Sequence, residues 1–508
     1  MTSSSMSRQM AKDKEFKVLF IYPNLMLMSM MPPAIALFSA LLKQKGIGVD
    51  LFDTTYYKTE EKSSDEVKVE HLQLRPFNLA ERDIHLKTTN LYEDLREKVE
   101  SFRPNLIAMS ALEDTYPLGI SMLKSIKSYY HAPVVVGGIF PTFAADTVVK
   151  ENCVDFVCVG EGEGALVELC EKLSRNKDVS SIRNLWVKSN GNVIKNPLRG
   201  VVNLDELPVP DFSIFEENRF FRPMAGKVYR MVPIETHRGC PFTCTFCNSP
   251  ASYRMYDNQD AGTFFRKKSV ERVYEELKFL VKKWSVEYVY FTADTFLAMD
   301  DVKFRRFAEM YEEFRLPFWM QTRPETLHEE RTGLLKEMNC VRVSIGVEHG
   351  NEEFRKRVIH RKVSNKRILE GFELMARAKI PVTVNNIIGF PDETRELAFD
   401  TIRLNRQIES DTNNAYVYVP YHGASMRDVC LQKGYITENT KTACLTKDTV
   451  LNMPQFPRDE IMGLVRTFCL YVKMPESEFP RIRVAEKFDE EGNRTFEELK
   501  DIYYEKYF

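Results

Sequence analysis

Short apolar runs that alternate with helix-length segments constrain the fold of this chain more than any other feature of its sequence. The first series begins at Phe16 with KVLFIYP and continues with NLIAMSAL (105–112), APVVVGG (132–138) and VDFVCVG (154–160). Runs this apolar are typical of strands that are buried on both faces of a parallel sheet. We therefore predict a doubly wound, Rossmann-like α/β domain over residues 16–180, preceded by a disordered lead over residues 1–15.

A second alternating series follows Met231. Apolar runs near 232–237, 287–292, 317–321, 341–347, 381–388 and 414–420 are separated by helical segments, the last of them at 393–408. Six such repeats indicate an α/β unit that forms a partial (β/α)6 barrel over residues 231–425. Residues 181–230 are rich in proline and lack periodicity, which predicts a linker. Residues 426–508 are expected to form a small helical C-terminal domain.

Charge and hydropathy exclude two classes of partner. The 71 basic and 73 acidic residues nearly cancel, and no basic stripe is present, so we do not expect nucleic acid as a partner. The most apolar early stretch is broken by Pro32 and Pro33, so no membrane span is expected. Ten cysteines without regular spacing are typical of a reducing compartment, and we expect a cytoplasmic protein.

Three cysteines lie within eight positions, in the sequence HRGCPFTCTFCNSP. Cys240, Cys244 and Cys247 follow the first strand of the predicted barrel, where barrel active sites form. Thiols this close in a reducing cell bind metal or exchange disulfides. Zinc is the competing interpretation, since a closed structural zinc site needs four ligands and the local sequence offers only these three cysteines and His237. Three thiolates suit a [4Fe-4S] cluster in which one iron has no protein ligand.

The spacing Cys-x3-Cys-x-Phe-Cys at the start of a six-fold barrel resembles the radical S-adenosylmethionine (radical SAM) enzymes. The resemblance implies that S-adenosyl-L-methionine binds the open iron and is cleaved there to a 5′-deoxyadenosyl radical. Asn385 stands where that family has a glycine, so on the fifth strand only Ile387 to Pro391 carry the comparison. Other interpretations of three of these positions remain open. Asp294 is then a loop or N-cap aspartate, Arg323 a member of a surface ion pair, and Gly389 part of a simple turn. The residues that the resemblance assigns to S-adenosylmethionine are Phe246, Asp294, Arg323, Glu348, Ile387, Gly389 and Pro391.

The strands of the first domain are followed by loops rich in small residues, which let a backbone approach a large ligand. A dinucleotide is not expected, because no G-x-G-x-x-G opens the first helix. GGIFPT and GEGE, ahead of such a barrel, instead resemble the cobalamin-binding domain of cobalamin-dependent radical SAM enzymes, although tight turning alone would also explain the glycines. The resemblance assigns to cobalamin Asn24, Ser110, Gly137, Gly138, Pro141, Thr142, Gly160, Glu161, Gly162 and Glu163.

The loop after the first strand, NLMLMSMMPP, contains no histidine, and the first histidine in the chain is His71. The methionines are either core residues or a dry lower face for cobalt. The resemblance implies a methyltransferase that acts on an unactivated carbon by way of methylcobalamin, with flavodoxin or ferredoxin as electron donor. A rearrangement or cyclisation with cobalamin in electron transfer, or a sensor without turnover, are the alternatives. The class of substrate and the catalytic residues stay unassigned.

Overall fold

The structure of the protein, a computed structural model, describes residues 15–442 and 444–507. The disordered lead predicted for residues 1–15 therefore lies almost wholly outside the described residues. Two seven-stranded sheets, each covered by helices, make up most of the described chain. The α/β class and the order of the two domains are confirmed.

The first sheet has the strand order β2-β1-β3-β4-β5-β6-β7, and its first five strands are parallel. This is the doubly wound arrangement predicted from the apolar runs. Its strands are β1 (Lys17–Tyr22), β2 (Gly48–Asp53), β3 (Leu106–Ser110), β4 (Val134–Gly137), β5 (Phe156–Cys158), β6 (Leu185–Ser189) and β7 (Asn192–Lys195). Its helices are α1 (Pro33–Gln44), α2 (Ser64–Glu70), α3 (Leu91–Phe102), α4 (Tyr116–Lys127), α5 (Ile139–Phe143), α6 (Ala145–Val148) and α7 (Glu163–Ser174).

The segment predicted as a linker, residues 181–230, is not a bare connection. Strands β6 and β7 form an antiparallel hairpin that extends the first sheet beyond β5. Asn190 and Gly191 occupy the turn with φ of 49° and 80°, the left-handed conformation that a tight hairpin needs. The linker prediction is therefore wrong for residues 185–195, because the Asn190-Gly191 pair favours a tight hairpin turn.

The second sheet has the order β16-β15-β14-β13-β12-β9-β8 and contains six parallel strands with β8 antiparallel at one edge. The edge strands β8 and β16 do not pair, so the barrel is partial, as predicted. The strands are β8 (Phe221–Met224), β9 (Lys227–Glu235), β12 (Tyr288–Thr292), β13 (Phe318–Thr322), β14 (Cys340–Glu348), β15 (Val382–Ile388) and β16 (Thr412–Val417), with a separate pair β10 (His237–Arg238) and β11 (Arg266–Lys267).

Helices cover the outer face of this sheet and the end of the chain. Several begin at a side-chain cap; Ser269, for example, accepts a hydrogen bond from the backbone N–H of Arg272 at 3.1 Å. They are α8 (Ser249–Asp257), α9 (Val270–Trp284), α10 (Asp301–Tyr311), α11 (Glu329–Glu337), α12 (Glu352–Arg357), α13 (Asn365–Ala378), α14 (Arg395–Asn405), α15 (Ser425–Gln432), α16 (Arg458–Lys473), α17 (Phe479–Ala485) and α18 (Glu490–Tyr507). Short 3-10 helices are Leu79–Arg82, Phe212–Ile214, Glu217–Phe220, Pro324–Thr326 and Glu476–Glu478.

The C-terminal helices share one apolar core with the end of the barrel. Leu464 and Phe468 of α16 belong to the same buried cluster as Ile388 of β15 and Val417 of β16. The helical nature of this region is as predicted. Because its core is continuous with strands β15 and β16, it packs onto the end of the barrel and does not fold around a core of its own.

Residues 56–90, which the sequence left unassigned, reach from the first domain across to the last strands of the barrel. The side-chain amide of Gln73 donates to the carbonyl of Val465 at 3.2 Å and accepts from the N–H of Ala415 at 3.1 Å. The Ser64 hydroxyl lies 3.1 Å from Sγ of Cys444. This segment therefore fastens the two domains together. Within the described ranges, no helix is both long and apolar enough to cross a membrane.

Candidate functional site

The cysteine loop follows β9 and β10, at the carboxyl end of the first barrel strand. Gly239 begins the loop with φ of 81°, and a Cβ atom there would lie 2.8 Å from the Phe264 ring. Cys244 is buried, whereas Cys240 and Cys247 are partly exposed. The loop therefore lies where the sequence placed it, at the carboxyl end of the first barrel strand.

Each thiol of this loop has a protein partner. Sγ of Cys240 lies 3.6 Å from Oγ1 of Thr295. The N–H of Ser249 donates to Sγ of Cys247 at 3.4 Å, and Nη1 of Arg323 donates to Sγ of Cys244 at 3.2 Å. Over residues 15–442 and 444–507, no three His, Cys, Asp or Glu side chains converge as ligands of a metal ion do.

Burial controls the protonation of Cys240 and Cys247. It raises the pKa of Cys247 to about 12, and the carboxylate of Asp294 and the neighbouring thiols act in the same direction. Burial also raises the pKa of Cys240. A cation is therefore required to make thiolates of these groups near neutral pH. The N–H donors from Arg323 and Ser249 fit a set of ligands that carries negative charge on sulfur.

Asp294 lies beyond the end of β12, within electrostatic range of Cys240 and Cys247. It does not cap the next helix, since Asp300 caps α10 by accepting from the N–H of Lys303 at 2.8 Å. Its side chain is exposed at the surface of the site. Loss of hydration to the surrounding protein, and next the nearby Glu235 carboxylate, raise its pKa. A carboxyl group in this setting is suited to accept a hydrogen bond from a ligand ammonium.

Arg323 and Glu348, both predicted to contact S-adenosylmethionine, have partners within the protein. Arg323 is buried, stacks at 3.7 Å over the Phe242 ring and pairs with Glu325 at 2.5 Å, so it is not a surface ion pair. Glu348 pairs with Arg361 at 2.6 Å. Its φ of 67° at a bulge between β14 and β15 is a strained conformation of the kind found at functional sites.

The segment from Ile387 to Pro391 turns sharply at Gly389, whose φ is 89°. The carboxylate of Glu393 accepts from the N–H groups of Gly389 and Phe390 at 2.5 and 2.9 Å, and this fixes the turn. The ring of Phe390 lies 6.0 Å from the ring of Phe246 in the cysteine loop. The structure thus brings the fifth-strand segment beside the cysteine loop.

A cavity of about 320 Å³ lies between the carboxyl edge of the first sheet and the barrel. Its far wall comes from the barrel and includes Glu235, Arg238 and Thr292. Glycine backbone at the near wall leaves room for a large ligand to approach. Seven of the ten residues predicted to bind cobalamin line it: Ser110, Gly137, Gly138, Gly160, Glu161, Gly162 and Glu163.

The other three predicted cobalamin residues do not line this cavity. The side-chain amide of Asn24 donates to the carbonyl of Met28 at 2.9 Å and to Oγ1 of Thr55 at 2.8 Å, so it shapes its own loop. Pro141 is buried within α5. Thr142 donates to the carbonyl of Gly138 at 2.8 Å and accepts from the N–H of Gly160 at 3.1 Å, joining the two glycine loops.

The sequence did not identify the ion-pair cluster at the mouth of this cavity. Arg238, two residues before Cys240, pairs with Glu161 at 2.9 Å, Glu163 at 2.7 Å and Glu235 at 3.1 Å. Burial alone would raise the pKa of Glu235, but the nearby Arg238 and Lys268 outweigh it and hold that pKa below its ordinary value. This cluster joins a glycine loop of the first domain directly to the cysteine loop.

At Gly138 a left-handed backbone conformation coincides with close approach of another backbone segment. Its φ is 112°, and a Cβ atom would lie 2.6 Å from the carbonyl oxygen of Ala111. We expect Gly138→Ala to lower the free energy of unfolding by about 3 kcal/mol. Gly191→Ala is the control, since φ is 80° but no atom lies within 4 Å, and about 1 kcal/mol is expected. Equal losses in urea denaturation would contradict the steric argument.

Comparison with known proteins gives two domain matches. Residues 29–170 match the family model of the B12 binding domain, and residues 234–404 match that of the radical SAM superfamily. These ranges contain the glycine loops and the cysteine loop respectively. Both matches agree with the resemblance stated from the sequence.

Individual relatives are distant. An uncharacterized methyltransferase of Pyrococcus horikoshii is 26% identical over 82% of this chain and 88% of its own length. The anaerobic magnesium-protoporphyrin IX monomethyl ester cyclase of Rubrivivax gelatinosus is 25% identical, and the match covers 66% of this chain and 60% of that protein. The solved structure of the radical S-adenosylmethionine methyltransferase TsrM from Kitasatospora setae, with cobalamin and a [4Fe-4S] cluster bound, has a TM-score of 0.61 at 18% identity and covers 84% of this chain and 76% of its own.

Proposed function

We propose that this chain, which belongs to the cobalamin-dependent radical SAM enzymes, is a methyltransferase that adds a methyl group to an unactivated carbon of its substrate. The observation that carries the proposal is the shared cavity between the domains. Glycine loops form one wall, and the other wall includes Arg238, which leads directly into the cysteine loop. Methyl transfer to carbon requires two reactive centres in one closed space, and this arrangement supports it.

The cofactors are a [4Fe-4S] cluster, S-adenosylmethionine and cobalamin. When bound, they supply a reducing electron, a carbon radical that removes hydrogen from the substrate, and a methyl group carried on cobalt. Cys240, Cys244 and Cys247 would hold the cluster, and Arg323 and Ser249 would keep their N–H donors on its sulfur ligands. The open carboxyl of Asp294 would orient the ammonium of S-adenosylmethionine.

The chain itself encloses the space above the barrel. The hydroxyl of Tyr290, in the barrel, donates to the carbonyl of Met31 in the first domain at 3.4 Å. On the opposite side, Nδ1 of His422 lies 2.9 Å from the carboxylate of Glu113. These contacts hold the first domain over the strand ends, where a substrate radical must be kept from water.

The match to a cyclase favours a second candidate, a radical cyclisation in which no methyl group is transferred. The absence of histidine from the loop after β1 supports methyl transfer instead. When cobalamin is bound, this loop would offer cobalt no imidazole, a setting that would favour transfer of a methyl group to a carbon radical.

The test is an anaerobic incubation of the reconstituted protein with S-adenosylmethionine and either reduced flavodoxin or reduced ferredoxin. A methyltransferase forms 5′-deoxyadenosine and, only when cobalamin is present, S-adenosylhomocysteine. A deuterated methyl donor transfers its label to a product recovered from a cell extract. A cyclase forms 5′-deoxyadenosine without S-adenosylhomocysteine, and a sensor forms neither, so either result would contradict the proposal.

A further inference from the structure

The inner face of the barrel forms a lumen that is partly open to solvent. On the strands, Thr292, Gln321, Asn385 and Tyr416 are partly exposed, while the residues on either side of each are buried. Alternate residues of the same strands, such as Met320 of β13, pack in the core beneath the outer helices. Because side chains alternate across a strand, the partly exposed set faces the lumen.

Arg222, on the edge strand β8, reaches into this lumen. Its guanidinium carbon lies 4.9 Å from the centre of the Tyr290 ring and 5.3 Å from the centre of the Trp319 ring. Tyr290 lies two residues before Thr292, and Trp319 lies two residues before Gln321. Both rings are therefore on the lumen side of their strands. Cation–π contacts with two rings hold the guanidinium in place.

Arg222 differs from the other arginines around the lumen because it has no acidic partner. Arg219 pairs with Asp53 at 2.9 Å, Arg361 with Glu348 at 2.6 Å, Arg323 with Glu325 at 2.5 Å, and Arg342 with Asp411. Among the described residues, Arg222 has neither a carboxylate nor a hydrogen-bond acceptor, and its Nη1 atom is buried. A buried charged donor without an acceptor is costly, so such a group is typical of a site completed by a ligand.

Further features of the lumen fit the same ligand. The hydroxyl of Tyr288, next to Arg222 in electrostatic range, is also buried without a partner. Lys68, from the segment that covers the barrel, is also in range but pairs with Asp65 at 2.5 Å. Within the described chain, Arg222 is therefore the unpaired positive charge in this part of the lumen, and the side chains around it are aromatic.

We propose, building on the proposed function, that the lumen binds a substrate with an anionic group, a carboxylate or a phosphate, on a planar and largely apolar body. Arg222 holds the anion, since a guanidinium binds two oxygens of such a group side by side. Tyr288 adds a hydrogen bond, and the partly exposed ring of Trp319 contacts the apolar body.

The anion is held away from the reacting centre. Tyr290 lies two residues before the end of β12, about 7 Å along the strand, and Asp294 lies beyond that end. Arg222 is therefore a residue that determines specificity and positions the substrate, not one that touches the reacting carbon. Its replacement is expected to weaken substrate binding and to raise KM more than it lowers kcat.

The test is calorimetric titration of the cofactor-loaded protein with saturating S-adenosylmethionine and cobalamin, so that the anion sites for the cofactors are filled. The probes are 3-phenylpropionate, phenyl phosphate and the neutral 3-phenylpropanamide. We expect one of the anions to bind with a Kd in the millimolar range or tighter, and the amide about tenfold more weakly. A preference between the two anions identifies a carboxylate or a phosphorylated substrate.

Arg222→Gln is expected to weaken binding of the preferred anion about tenfold or more and to leave the amide unchanged. Arg82→Gln is the matched control, because Arg82 stacks over Phe221 of the same strand on its outer face, and it is expected to bind like the parent. Equal binding of anion and amide, or an unchanged affinity in Arg222→Gln, would overturn the inference. The titration needs no turnover, whereas failure to form 5′-deoxyadenosine would contradict only the proposed function.

Discussion

Cys244→Ala is expected to abolish iron binding and the cleavage of S-adenosylmethionine. Cys244 is the buried member of the three and accepts the hydrogen bond from Arg323. With one ligand removed, two thiolates cannot hold a cluster that already has only three. After anaerobic reconstitution, we expect iron and labile sulfide near background and no 5′-deoxyadenosine in the presence of a strong reductant.

Cys153→Ala is the matched control, because Cys153 is also a buried free thiol and lies in the first domain. It should retain iron and activity, and its cost should be limited to a small loss of packing. Cys240→Ala and Cys247→Ala are expected to behave like Cys244→Ala. An iron-loaded, active Cys244→Ala variant would refute the assignment of the cluster to this loop.

The two parallel sheets could be predicted because each strand carries its own signal in a short apolar run. The runs at 105–112, 132–138 and 154–160 correspond to β3, β4 and β5, with boundaries that differ by a few residues. The hairpin at 185–195 also had a local signal, Asn190 followed by Gly191, and could have been found. The crossing segment 56–90 had none, because its structure depends on partners such as Val465 and Ala415, hundreds of residues away.

The candidate site also has some features with a local sequence signal and others that depend on distant residues. Cysteine spacing and glycine stretches are local, and both predicted the loops that the structure brings together. The partners of Arg323 and Glu348 could not be predicted from motifs, because Glu325 and Arg361 are ordinary charged residues until the fold places them there. Arg238 is the clearest case, since two of its acidic partners lie in the other domain.

The second large effect is expected at Arg238. Arg238→Met leaves Glu163 without a cation among the described residues and leaves Glu235 with Lys268 only at 3.9 Å. A buried carboxylate that loses its partner costs about 3 to 5 kcal/mol. Because these carboxylates join the glycine loop to the cysteine loop, we expect a lower Tm, loss of cobalamin during gel filtration, and uncoupling of 5′-deoxyadenosine formation from methyl transfer.

Two further variants separate electrostatics from packing at this interface. Arg199→Met removes a partly exposed pair with Glu168 in the first domain and should cost about 1 kcal/mol or less. Arg238→Met combined with Glu163→Leu removes both charges, so it should recover part of the stability that the single variant loses. If the double variant loses as much stability as Arg238→Met and Glu163→Leu lose together, Glu163 and Arg238 are not energetically coupled. The joint between the two domains must then depend on apolar contacts and on the crossing segment 56–90.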